Sequence, residues 1–203
     1  MLISFKEMLE KYTMNITGII HVGAHYGQEV NEYVSHGIIE LVLFEPLRES
    51  YEILCRNVEH INANIITHQL ALGSAENIAN MYVSSNQKQS SSLLKPKDHL
   101  VCHSDVQFLG LEEVKVDLLD NFNYTGYNFL AMDVQGYELE VLKGARKTLE
   151  YVDYVYAEVN RAEVYEGNAF VEDLDNFLTE YNMKRVETVW PGGIWGDALY
   201  IRT

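Results

Sequence analysis

The chain is poor in cysteine, in positive charge and in long apolar runs. Its 203 residues include only Cys55 and Cys102, too few for a disulfide framework, so a reduced, intracellular setting is the default and a bridge between the two is not expected. No stretch approaches the roughly 20 consecutive apolar residues that cross a bilayer. The opening stretch MLISFKEMLEKY carries Glu7 and Glu10 on a helix-like pattern, unlike a secretory leader, which points to the cytoplasm. Fifteen Lys and Arg face 30 Asp and Glu, a formal net charge of −15. Such a surface repels phosphate backbones and argues against a nucleic-acid partner. The few basic clusters, Lys95 with Lys97 and Lys143 with Arg146 and Lys147, read as solvated surface. Repeats at solenoid periods are also lacking.

What is present is a globular composition, 47% apolar, at a length that can bury a sizeable core. One domain over residues 1–203 is expected. Short β-type runs alternate with longer helical ones. Residues 3–13 read as an amphipathic helix, with residues 1–16 as a helical N-terminal segment. Strands follow at ITGIIHV, IIELVLFEP, ANIITHQLAL, EEVKVDLL, YNFLAMDV and VDYVYAEVN. Helices are expected over 27–36, 48–58, the run YELEVLKGARKTL, and 169–180. Residues 84–105 are polar and aperiodic, an exposed excursion or lid. Repeated strand–helix alternation implies a mostly parallel sheet covered on both faces, an α/β Rossmann-like doubly wound fold. The last two strands, MKRVETVW and DALYIRT, flank the short turn PGGIWG and must be antiparallel, because a parallel crossover needs about a dozen residues.

In such sheets ligands lie beyond the carboxyl ends of the strands. The first of these ends reads HVGAHYGQE, with Gly23, Ala24 and Gly27 framed by His21 and His25. Missing side chains let a ligand touch the backbone, and the helix that follows offers unpaired N–H groups. The loop does not meet G-x-G-x-x-G, and a Walker lysine is absent, so a pyrophosphate ligand fits poorly. The second strand ends in FEP. Glu45 lies 22 residues beyond Gly23, where an acid grips a ribose diol in nucleotide-type folds. A nucleoside without pyrophosphate fits best, and S-adenosylmethionine is one. A tight turn is the plain alternative. Zinc on His21 and His25 is disfavoured, since the H-E-x-x-H glutamate is missing.

The fourth central strand ends at Asp133, followed by Gln135, Gly136 and Glu138; the fifth ends at Glu158 and Asn160. Two adjacent strand ends thus present acids to one cleft, close enough to raise each other's pKa and to serve as a general base. Alternatively Asp133, Glu158 and Asn160 share a hard cation such as Mg²⁺. Glu138 is either part of this cluster or a charge favourable at a helix N-terminus.

Together HVGAHYGQE, FEP, SSSLL, MDVQGYELEVLKGA, YAEVN and GDALYIR resemble FkbM-type methyltransferases, a branch of the class I S-adenosylmethionine-dependent enzymes. The resemblance implies a seven-stranded sheet with a C-terminal hairpin and O-methylation of sugar or polyketide hydroxyls, with S-adenosylhomocysteine as product. It places Gly23, Ala24, His25 and Gly27, flanked by His21 and Gln28, against the methionine part of the cofactor. It places Glu45, with Pro46 behind it, on the ribose, and Ser91 and Ser92 against or over the cofactor. It assigns Asp133 and Glu138 to the acidic motif of the fourth strand. Many class I enzymes carry an acid where this chain has His21, so the cofactor ammonium must find another partner, such as Asp133. The acceptor pocket is expected among the loops holding Tyr165, Trp190, Trp195 and Asp197, where aromatic faces suit a sugar or deoxysugar ring of a glycan. A non-catalytic cofactor-binding module and an NAD-dependent oxidoreductase are the rival readings.

Overall fold

In the computed structural model the described residues are 1–203 except Gly192, and the side chains of Val101 and Cys102 lie outside the described set. The expected turn at 191–196 therefore falls partly outside it, as does the Cys102 half of any bridge; Cys55 is a free thiol.

The chain runs α1 (Phe5–Tyr12), β1 (Ile19–Val22), α2 (Val30–Ser35), β2 (Glu40–Phe44), α3 (Arg48–Val58), β3 (Asn64–His68), β4 (Ala71–Leu72) and β5 (Asn77–Ser84). It continues through α4 (His99–Cys102), β6 (Phe108–Asp117), β7 (Phe129–Met132), α5 (Glu138–Lys143), β8 (Tyr154–Asn160), α6 (Val171–Thr179), β9 (Met183–Val189) and β10 (Trp195–Arg202). Seven strands form one sheet in the order β3-β2-β1-β7-β8-β10-β9. The first five are mutually parallel; β10 inserts between β8 and β9, antiparallel to both. This is the α/β sheet with a terminal hairpin expected from the pattern.

The central strands β1, β2 and β7 are apolar at nearly every position because both faces are covered. Alternate residues serve opposite layers. Ile20, Val22, Val42, Phe44, Leu130 and Met132 pack with α5 and α6, while Ile19, Leu41, Leu43, Phe129 and Ala131 pack with α1, α2 and α3. A one-residue slip in any of these strands would exchange its two apolar sets between layers.

Two departures concern the middle of the chain. The single strand expected over 63–72 is two, β3 in the main sheet and β4 in a separate sheet ordered β4-β6-β5. Its β5 was not foreseen, because Ile78 is 70% exposed and the strand carries no clean alternation. The second departure is that residues 84–105 are not an exposed excursion throughout. Ser84, Ser91, Ser92 and His99 are buried. Backbone bonds tie the segment to the loop after β8: Lys97 and His99 N–H donate to Val164 O, and Glu166 N–H donates to Lys95 O.

Candidate functional site

The carboxyl ends of β1, β2, β7 and β8 and the start of the antiparallel β10 open on one edge of the sheet. There they bound a cavity of about 380 Å³, within the range of small-molecule pockets. From the expected site it is lined by His21, Gly23, Ala24, His25, Gln28, Glu45, Pro46, Ser91, Asp133, Glu158 and Trp195. Gly27, Ser92, Glu138, Asn160, Tyr165, Trp190 and Asp197 stand outside that lining.

The first loop is tight because β1 and β7 lie side by side. Gly23 has φ +80°, and a Cβ there would stand 2.0 Å from the Asp133 carbonyl oxygen. Its N–H and that of Ala24 both donate to Phe44 O, at 3.0 and 2.9 Å. The His25 N–H donates to Glu45 at 3.0 Å. The loop's amides are thus spent internally, and α2 starts only at Val30 with Glu29 as its N-cap. These three amides are therefore not available to a ligand, and an acid at the helix start disfavours a bound phosphate.

His25 donates from Nε2 to Gln87 O at 2.7 Å, since a carbonyl only accepts. That leaves Nδ1 to accept from Gln28 Nε2 at 2.8 Å. This pair ties the glycine loop to the 84–105 segment across the cavity mouth. His21 meets the Tyr33 hydroxyl through Nδ1 at 3.2 Å, and burial lowers its pKa. Ser91 accepts from Ser84 N–H at 3.1 Å, and Ser92 donates to Gln135 O at 2.7 Å.

At the other side, Gln135 holds two acids together. Its Nε2 donates to Asp133 Oδ1 at 2.7 Å and to Glu158 Oε2 at 2.8 Å. Its Oε1 accepts from the buried Tyr165 hydroxyl at 2.7 Å. Glu158 is 7% exposed, whereas Asp133 keeps one exposed edge toward the cavity and is enclosed by protein on its other sides. Burial, then the charges of Asp133 and Glu138, push Glu158 well above the usual carboxylate range. Asp133 is raised to about 6, first by loss of water and then by Asp197, against the Gln135 bond. Glu138 turns back from the start of α5 to accept from Val134 and Gly136 N–H at 3.0 and 3.3 Å, and so shapes the loop that carries Gln135. Asp197 is engaged with the Tyr156 hydroxyl and with Leu2 N–H. Trp190 packs on the core under the Arg161 guanidinium, 3.6 Å above its ring.

The Mg²⁺ alternative finds no support. Among the described residues no group of three His, Cys, Asp or Glu side chains converges as a metal requires. An amide nitrogen occupies the position between Asp133 and Glu158 that a cation would take. Three residues that matter were not singled out from the sequence. Gln135 was named without a role, and its spacing two residues from Asp133 was the available signal. Lys88 and His99 line the cavity from the 84–105 segment, and no local pattern marks them.

Burial raises Glu45 and Glu138 to about 7 each. The native state therefore holds protons that the unfolded chain releases near 4.5. Stability falls as pH rises wherever the native state binds more protons. His21, His68 and His99, lowered by burial, act oppositely as pH rises through their ordinary 6.5, where the unfolded chain is still half protonated at each. From pH 6.5 to 8 Glu45 and Glu138 together are expected to remove about 1.5 kcal/mol, much of which the histidines offset. Urea midpoints of the unmodified protein and of Glu138→Gln at the two pH values separate the contributions: the variant should lose less stability over the interval, and an equal change in both would contradict a charged-state penalty at Glu138.

The model of the methyltransferase FkbM domain matches residues 21–184. The 2-O-methyltransferase NoeI of Sinorhizobium fredii is 30% identical over 118 residues, covering 56% of this chain and 47% of that protein. The crystal structure of methyltransferase FkbM from Methylobacillus flagellatus superposes with a TM-score of 0.62 at 17% identity, over 92% of this chain and 43% of that one. A candidate tRNA (m1A22) methyltransferase of Streptococcus pneumoniae, solved in complex with S-adenosyl-L-methionine, gives 0.57 at 14% identity, over 99% and 73%. These structures share the fold. The chain spans less than half the length of NoeI and of the Methylobacillus protein.

Proposed function

The chain belongs to the methyltransferase FkbM domain family, and from that premise we propose that it transfers a methyl group from S-adenosylmethionine to a hydroxyl oxygen of a sugar or deoxysugar. One observation carries the reading: a single cavity holds Glu45 at the end of β2 and the Asp133–Glu158 pair at the ends of β7 and β8. Strands lie about 4.8 Å apart, so three steps from β2 to β8 span about 14 Å. That length suits a nucleoside with an amino-acid tail. The residues fit the group: Gly23 leaves a bare backbone, and each Glu45 oxygen accepts one backbone N–H, from His25 and Leu47. Each oxygen keeps capacity to accept one ribose hydroxyl.

S-adenosylmethionine, when bound, supplies an electrophilic methyl carbon and retains the electron pair of the broken S–C bond. The chain's own residues do the rest. Glu45 fixes the diol. Asp133 faces the cavity as a partner for the ammonium group, a charge that His21, neutral and bonded to Tyr33, does not offer. Glu158 or Asp133 receives the hydroxyl proton as the new O–C bond forms. Gln135 keeps both acids aimed at the same place, and Glu138 holds the Gln135 loop. The segment 84–105, tied down through His25 and Val164, serves as a lid that excludes water and aligns the partners; alignment of this kind contributes up to about 7–11 kcal/mol. The net charge of −15 and the acids at the cavity favour a neutral glycan acceptor over a nucleic acid. The printed 2-O-methyltransferase activity of NoeI supports oxygen as the methylated atom.

Titration calorimetry with S-adenosylhomocysteine and with NAD, followed by label transfer from methyl-labelled S-adenosylmethionine to a set of sugars, tests the reading. Glu45→Gln is expected to weaken S-adenosylhomocysteine binding by about tenfold or more, since charge-assisted bonds contribute about 1.5–3 kcal/mol. NAD binding with none of S-adenosylhomocysteine would end the proposal. Cofactor binding without transfer to any hydroxyl would leave a non-catalytic module.

A further inference from the structure

The sequence places Tyr165 on the wall of the acceptor pocket, but its ring is fully buried and stands outside the cavity lining. Its own loop, which follows β8, fixes it against the 84–105 segment. Pro96 and Tyr165 form an antiparallel bridge, and the Tyr165 N–H donates to Asn168 Oδ1 at 2.9 Å. The ring packs 5.5 Å from that of His99, and a Cβ on Gly136 would stand 3.2 Å from its Cδ2. Its hydroxyl is what reaches toward the acids. That oxygen lies 2.7 Å from Gln135 Oε1 and 3.0 Å from Ser90 O. Both partners are acceptors, and a phenol has a single hydrogen to give.

Which end of the Gln135 amide faces the acids therefore depends on Tyr165. A carboxamide can turn over with little change of shape, exchanging its oxygen for its NH2. With the oxygen held by the phenol, the NH2 meets Asp133 Oδ1 at 2.7 Å and Glu158 Oε2 at 2.8 Å. Two such bonds favour the ionised carboxylates. Turned over, the amide would present an oxygen, which favours the protonated acids. Burial, then the charges of Glu158, Asp133 and Glu138, push the Tyr165 hydroxyl far above its ordinary range, so it stays a donor.

We propose that Tyr165 is a positioning residue for the proton acceptor: its hydroxyl turns the Gln135 amide so that the NH2, and not the oxygen, faces Asp133 and Glu158. The catalytic meaning of this orientation rests on the methyl-transfer reading above. Ser90 O, on the 84–105 segment, is the second acceptor for the same hydrogen and anchors the phenol to the lid. The charged and titratable groups that face the acid pair are Glu138 of α5, Asp197 of β10, Glu29 at the start of α2 and the Met1 amino group. His21 of β1 and His99 of α4 stand nearby, both held neutral by burial. The Tyr165 loop itself brings Glu163 and Glu166, which pair with Lys97 and Lys95. Tyr165→Phe leaves every one of these groups in place and removes the hydroxyl alone.

The test titrates the Asp133 and Glu158 carboxyl carbons by NMR in the full chain, with and without S-adenosylhomocysteine. Asp133→Asn and Glu158→Gln assign the two signals. In Tyr165→Phe the first apparent pKa of the pair is expected to rise by about one unit, the size of a hydrogen bond to a charged group. Gln135→Met, similar in length and without a donor, should give a like rise, and adding Tyr165→Phe to it should give no more. In label transfer the acid limb of kcat should move up by the same unit. Turnover of Tyr165→Phe should then fall about tenfold below that limb and recover above it, with S-adenosylhomocysteine affinity unchanged. A merely structural role would lower turnover alike at every pH and leave the pair's titration where it was. That result overturns the proposal, as does a shift that Tyr165→Phe still produces beside Gln135→Met. Should Tyr165→Phe not fold, an unmoved pair in Gln135→Met overturns it, since Tyr165 acts through that amide. The titration needs no acceptor. A shifted pair in a protein that methylates no sugar would remove the methyl-transfer reading and leave the orienting role; an unshifted pair in an active enzyme would do the reverse.

Discussion

Gly23→Ala is expected to empty the cofactor site and to lower unfolding stability by about 2–5 kcal/mol, the sum of a left-handed backbone penalty and an overpacking penalty. The added Cβ would meet the Asp133 carbonyl oxygen at 2.0 Å and its carbon at 2.9 Å, both backbone atoms. Neither can yield. Asp133 N–H donates to Val22 O at 3.0 Å, and Val22 pairs with Met132 in the middle of the sheet. Relief would have to pry β1 from β7 where the ligand crevice opens. Gly37→Ala is the control: its φ is +83°, yet nothing lies within 4 Å of the new Cβ. It should cost only the backbone penalty, about 1–2 kcal/mol. Urea unfolding of both variants, with S-adenosylhomocysteine calorimetry on each, separates the terms. Equal losses in the two variants would mean that the β1–β7 contact is not what makes position 23 special.

Glu158→Gln should move stability and activity in opposite directions. The carboxyl at 158 is buried among other acids and held well above its ordinary pKa, so at pH 8 its ionisation is a cost the native state bears. An amide of nearly the same shape removes that cost and still offers an oxygen to Gln135 Nε2. The midpoint at pH 8 is therefore expected to rise. Turnover is expected to fall by about 10²–10⁴, the usual contribution of a positioned proton acceptor. S-adenosylhomocysteine affinity should stay within a few-fold, because Glu45 and the glycine loop are untouched. Asp133→Asn is the companion variant: if Asp133 is the base, it carries the larger loss of turnover. Full turnover in both variants would remove the proton-acceptor role from this pair.

These predictions draw unequally on what the residues announce. Gly23 and Glu45 were legible because both sit at fixed offsets from apolar strands whose ends must face the crevice of a parallel sheet. The terminal hairpin was legible because its connection is too short for a crossover. The second sheet was not: β5 pairs with β6 across more than twenty intervening residues, and Ile78, Leu109 and Leu111 on this ribbon are exposed. A strand that buries little leaves little periodicity to read.

The site divides the same way. Asp133 and Glu158 could be named from their strand ends, yet nothing local tells that Gln135 bridges them, that Glu138 turns back onto its own loop, or that His99 comes over the cavity from a segment pinned to Val164. The order of apolar and polar residues determined the layers, the sheet and the edge at which a ligand would lie, since burial acts residue by residue along the chain. Which polar atoms were satisfied and which were left waiting was decided only when distant segments met, because a hydrogen bond depends on directions and distances that no single stretch contains.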